Sequence, residues 1–85
     1  MKYTLIYTQR AERDIARLDS RTNERIGKAL LRYKEEPLRY AEKLSDPILG
    51  TYRFRISDYR VIFDLEGNEI VVLRVGHRRE IYRRR

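Results

Sequence analysis

The chain has 85 residues, with 20 Lys and Arg against 13 Asp and Glu, a net charge of +7 and an isoelectric point near 10.1. That length makes one domain, 1–85, whose chain buries only about 60% of its unfolded surface or a little more; the absence of cysteine excludes disulfides and thiolate metal sites and fits a reducing cytoplasm. The apolar start, Met1–Tyr7, meets charge at Arg10 and is too short for a signal peptide or a membrane span, so no membrane attachment is expected, whereas the basic balance suits a polyanionic partner.

Lys2–Tyr7 alternates weakly and is rich in Tyr, Thr and Ile, which predicts a strand. Thr8 is placed to cap a helix on which Ala11, Ile15 and Leu18 share one face. Asp19 or Ser20 restarts the chain, and Ile26, Ala29, Leu30 and Tyr33 predict a second helix to about Glu35, stopped by Pro37. Residues 37–50 read as irregular, punctuated by Pro37, Pro47 and Gly50. Period-two patterning then predicts strands at Thr51–Ile56, Tyr59–Leu65 and Glu69–Val75, joined by turns at Ser57-Asp58 and Gly67-Asn68. Gly76 is expected to break the last strand, leaving His77–Arg85 as a tail with room for one helical turn. The expected fold is α+β, in the order β-α-α-β-β-β. An antiparallel sheet carries a two-helix hairpin on one face, because two amphipathic helices cannot bury their apolar sides alone.

From residue 44 onward every basic residue is arginine: Arg53, Arg55, Arg60, Arg74, Arg78, Arg79, Arg83, Arg84 and Arg85. Arginine presents a planar fork of donors that matches phosphate and stays charged when partly desolvated. Strand parity puts Tyr59, Val61 and Phe63, then Val71, Leu73 and Val75, toward the helices. Arg53, Arg55, Arg60 and Arg74 are then expected on the sheet face that carries no helices. Like charges on adjacent strands repel, and a bound anion would relieve them. His77 is the only histidine, and as a neutral-pH acid or base or as a phosphate contact it joins Arg79 among the candidates. Tyr82 can pack, stack on a base or move a proton. Nothing supports a nucleophile–histidine–acid set or a glycine-rich phosphate loop. Asp58, Asp64, Glu66 and Glu69 lie near turns without metal-ligand spacing, so no metal site is expected.

The string Gly50-Thr51-Tyr52-Arg53-Phe54-Arg55-Ile56-Ser57-Asp58-Tyr59-Arg60-Val61-Ile62-Phe63 resembles the core signature of the RelE/ParE toxin superfamily. Val75-Gly76-His77-Arg78-Arg79-Glu80-Ile81-Tyr82 resembles its C-terminal motif, and Leu18-Asp19 between the helices and Pro37 after them agree. The resemblance implies a toxin of a type II toxin–antitoxin system, needing no cofactor and neutralised by a cognate antitoxin. RelE-like members cut messenger RNA in the ribosomal decoding site; ParE-like members inhibit DNA gyrase. By motif position the RelE-type residues are Arg53, Arg55, Arg60, Arg78 and Tyr82. All are competent here, which favours the RelE branch. The implied reaction is attack of the substrate's 2′-hydroxyl on the adjacent phosphate. Arg60 and Arg78 are expected on the phosphate and Tyr82 as proton acceptor. Arg53, Arg55, Arg74, His77 and Arg79 would bind the RNA, with the ribosome supplying its geometry.

Overall fold

The structure is a computed structural model that describes residues 3–45 and 48–82. The expectations that fall on Lys2, Pro47 and Arg83–Arg85 lie outside the described residues. Strand β1 (Thr4–Tyr7) leads to helices α1 (Gln9–Ala16) and α2 (Ser20–Tyr33), the one-turn helix α3 (Pro37–Tyr40), and strands β2 (Glu42–Lys43), β3 (Tyr52–Ile56), β4 (Tyr59–Glu66) and β5 (Glu69–His77).

Local chemistry sets these boundaries. The Thr8 hydroxyl accepts from the Ala11 N–H at 3.1 Å and opens α1, and the Asp19 carboxylate accepts from the Thr22 N–H at 3.2 Å and opens α2. Pro37 ends the preceding segment, but it also sits in the first turn of α3, where its missing N–H costs nothing. The stretch expected to be irregular therefore holds a helical turn and a two-residue strand.

The sheet order is β1-β5-β4-β3-β2. Neighbours from β2 to β5 are antiparallel, as expected, but β1 runs parallel to β5, from Thr4 opposite Glu69 to Tyr7 opposite Val72, so the sheet is mixed. Strict alternation fails once. In β5, Val72 faces Phe63 and Arg74 faces Ile62, which makes Leu73 the extra residue of a bulge. The core residues of this strand are consequently Ile70, Val72 and Val75; of the expected Val71, Leu73 and Val75, Val75 holds its place and the other two do not. Gly76 does not break the strand either, since β5 continues to His77 and Gly76 pairs with Arg60.

The main core lies between the helices and the sheet. Ala11, Ile26 and Leu30 meet Phe54, Val61, Phe63, Ile70, Val72 and Val75, and the Phe54 and Phe63 rings stack at 4.3 Å. The opposite face is also partly covered. Ile62 there is fully buried and Ile81 is 1% exposed. Gly50 packs so closely that a Cβ would stand 2.7 Å from Ile62 Cγ2 and 2.9 Å from Leu73 Cδ1, at a φ of +150°. The face expected to lie open to solvent thus has a small second core, closed by the C-terminal turn and by the chain around Gly50.

Candidate functional site

Next to this second core two strands and the C-terminal turn converge on one basic cluster. Arg53 lies opposite Glu42 of β2. Its Nε donates to Glu42 Oε1 at 2.8 Å, and its Nη1 donates to the Tyr82 hydroxyl at 2.7 Å. Arg55, two residues along β3, reaches the other Glu42 oxygen at 3.5 Å. Tyr82 arrives from a single hydrogen-bonded turn, in which the His77 carbonyl accepts from the Ile81 N–H at 3.0 Å. Arg53 and Tyr82, with Leu44, Ser45 and Leu49, line a shallow cleft of about 260 Å³.

The electrostatics follow from these contacts. The hydrogen bond from Arg53, with further help from Arg55, holds the Glu42 carboxyl below the usual carboxylate range. The bond to Glu42, then the bond to Tyr82, raises the Arg53 guanidinium above the ordinary arginine value. The cluster brings together two guanidiniums, one carboxylate and the Tyr82 oxygen, which accepts from one of the guanidiniums. Such a group can hold a phosphate and support negative charge beside it.

The other expected site residues are dispersed. Arg60 does not project from an open face. It is 6% exposed, and its Nη1 donates to the carbonyls of Tyr59 at 2.9 Å and Ser57 at 3.1 Å. It braces the β3–β4 turn, where Ser57 has a φ of +58°. Arg74 does not project either; its Nε donates to Asp14 Oδ2 of α1 at 2.7 Å. His77 lies on the helix-covered side, edge-on to the Tyr59 ring at 5.4 Å, and its Nδ1 accepts from the Arg79 N–H. Arg78 stands at the end of the sheet, half exposed, with its Nε 3.8 Å from Asp58 Oδ1. Arg79 is exposed beside it. Arg53, Arg55 and Tyr82 are therefore brought together, and Arg74 and His77 are not part of that group.

Two acids that organise these arginines were missed in the sequence. Glu42 sits in a strand too short to show an alternation. Asp14 was visible as an acid within the apolar spacing of Ala11, Ile15 and Leu18, which signals a buried partner. Among the described residues, no three His, Asp or Glu side chains converge as metal ligands, and no helix is long and apolar enough to cross a membrane.

The protein is an α+β domain with two helices on one face of a mixed sheet and a cleft lined by Arg53 and Tyr82 on the other. Residues 5–82 match the sequence model of the ParE toxin of type II toxin–antitoxin systems, parDE. The chain is 37% identical over 87 residues to Toxin RelG of Mycobacterium tuberculosis, covering 99% of this chain and all of that one. The toxin–antitoxin complex RelBE2 of the same organism contains a similar fold (TM-score 0.82, 29% identity, 91% of this chain and 99% of that one). So does a mutant Escherichia coli toxin RelE in the free state (TM-score 0.74, 28% identity, 96% and 92%). The chain belongs to the ParE toxin family, within the RelE/ParE superfamily, and is a toxin of a type II toxin–antitoxin system.

Proposed function

We propose that the protein cuts messenger RNA on the ribosome, in the cytoplasm, without a metal ion or other cofactor, and that a cognate antitoxin neutralises it. The observation that most supports this reading is the 2.7 Å hydrogen bond from Arg53 to the Tyr82 oxygen, because it places a positive charge beside the oxygen that takes the proton. The substrate's 2′-oxygen attacks the adjacent phosphorus, and its proton passes to Tyr82 acting as phenolate, whose charge Arg53 offsets. The 5′-oxygen leaves and takes a proton from water. Arg55 and Arg78 stabilise charge on the phosphate oxygens, a contribution of about 3–4 kcal/mol for each well-placed donor. Arg60, being buried, acts as a positioning residue through the turn that carries Asp58, the partner of Arg78. The ribosome holds the message in line, since one shallow cleft does not orient an attack by itself. The antitoxin is a protein partner, in keeping with the similar toxin–antitoxin complex RelBE2, and it covers the arginines by charge complementarity.

The test is to incubate the protein with programmed ribosomes and map new 5′ ends on the message. Wild type should cut, and Tyr82→Phe should slow cutting by about 10²-fold or more, as loss of a general base does. An intact message with wild type overturns the reading. The match to the ParE toxin sequence model favours a second reading, inhibition of DNA gyrase without cleavage. It predicts loss of supercoiling with messages intact.

A further inference from the structure

On α2, Arg21, Arg25, Lys28 and Arg32 follow the spacing i, i+4, i+7, i+11, and all four are exposed. At about 100° per residue they fall within an arc of about 60°, and at about 1.5 Å per residue the row is about 16 Å long. Ile26 and Leu30, which anchor α2 in the core, point to the other side. Glu24 is the one carboxylate within ion-pair distance of the row among the described residues, 3.7 Å from Lys28, with both side chains largely exposed.

Cations three and four residues apart on a helix repel, so this arrangement destabilises α2 unless an anion is bound. The partner's chemistry follows from what the row lacks. Protein-binding patches have an apolar centre depleted of charge, especially lysine. Nucleic-acid interfaces are polar and strongly positive. A straight row of evenly spaced cations, with Arg32 lying over the Tyr33 and Tyr40 rings, matches a phosphate backbone. The row also joins the site end of the molecule. Arg25 Nη1 donates to Ser57 Oγ at 3.3 Å, and the same turn carries Asp58, which pairs with Arg78.

We propose that the α2 row is a second nucleic-acid surface, which seats the backbone of structured, double-stranded RNA and holds the protein there independently of the cleft. It goes beyond the cleavage reading and takes from it only the choice of RNA over DNA, while its test stands apart, because duplex binding is measured without ribosomes or cutting. The probe is a labelled RNA duplex of about 16 base pairs, titrated with the full chain across a salt series. Replacing Arg21, Arg25, Lys28 and Arg32 together by Gln should weaken binding at least tenfold. It should also reduce the slope of log K against log salt by about 3, at a little under one per lost phosphate contact. A second variant carries Gln at Arg13, Lys34, Arg39 and Lys43, which removes the same charge elsewhere. It should bind far more tightly than the first.

Equal losses in the two variants would mean that net charge alone is responsible and overturn the proposal. Displacement of the duplex by polyglutamate as readily as by unlabelled RNA would also overturn it, in favour of an acidic protein partner. The row variant should melt no lower than wild type, because repulsion has been relieved. A lower melting temperature would assign the row a structural role and overturn the proposal too.

Discussion

Glu42 illustrates how one side chain can both build a binding site and compete for it. Its carboxylate fixes Arg53 at 2.8 Å and meets Arg55 at 3.5 Å, the same forks a phosphate would use. Glu42→Gln keeps the shape and removes the charge. Arg53 and Arg55 then hold an incoming phosphate more tightly, by about fivefold for one unit charge near 4 Å in water. The same change loosens Arg53 against Tyr82, so the proposed chemical step slows while binding improves. Oligonucleotide affinity and single-turnover cutting on ribosomes read these separately; a parallel fall in both would sink the idea. Gly50 is the second decisive residue. A Cβ there meets two buried side chains at a backbone angle that L-residues rarely adopt. Gly50→Ala should therefore destabilise the domain by about 2 kcal/mol or more, measured by denaturant unfolding.

At the scale of elements, the open edge of β5 is the point most exposed to a single change. Strand β1 ends at Tyr7, so beyond Val72 no strand pairs with that edge. Asp14 of α1 fills the gap, accepting from the Val75 N–H at 3.0 Å and from Arg74 Nε at 2.7 Å while 8% exposed. Asp14→Ala leaves an arginine and a strand N–H unpaired together, and should cost about 3 kcal/mol. Hydrogen exchange should report the loss first at residues 74–76; unchanged protection there would show that α1 docks without this contact.

The same edge shows what the sequence made legible. The helices, the Thr8 cap, a restart at Asp19 or Ser20 and the three long strands follow from local chemistry and were readable. The parallel placement of β1 and the partners of Asp14 depend on contacts about sixty residues apart, and the bulge at Leu73 on its pairing with β4, none of which a local period records. The site divides in the same way. Arg53, Arg55 and Tyr82 follow from parity and motif. The burial of Arg60 follows from a covering turn, and the role of Glu42 from a strand two residues long.

For the whole molecule, the pH range of stability follows from three groups and from the net charge. Asp19, through its hydrogen bonds from Thr22, and Glu42, through Arg53, lie below their ordinary values when folded. A depressed folded value means that the folded state holds its protons more weakly than the unfolded chain does. This stabilisation is present above the ordinary carboxylate range and is lost as pH falls through the folded values. Acid also adds positive charge to a molecule already at +7, so self-repulsion acts in the same direction. Tyr7 behaves oppositely. Burial raises its phenol above 10.0, so its contribution is present below the unfolded value and lost as pH rises through the folded one. The melting temperature should be flat between about pH 5 and 9, falling on either side. Tyr7→Phe should flatten the alkaline fall and leave the acid limb in place. Glu42→Gln should lessen the acid fall without touching the alkaline limb. Calorimetry across the pH series distinguishes them, and an alkaline limb identical in wild type and Tyr7→Phe would remove Tyr7 from the account.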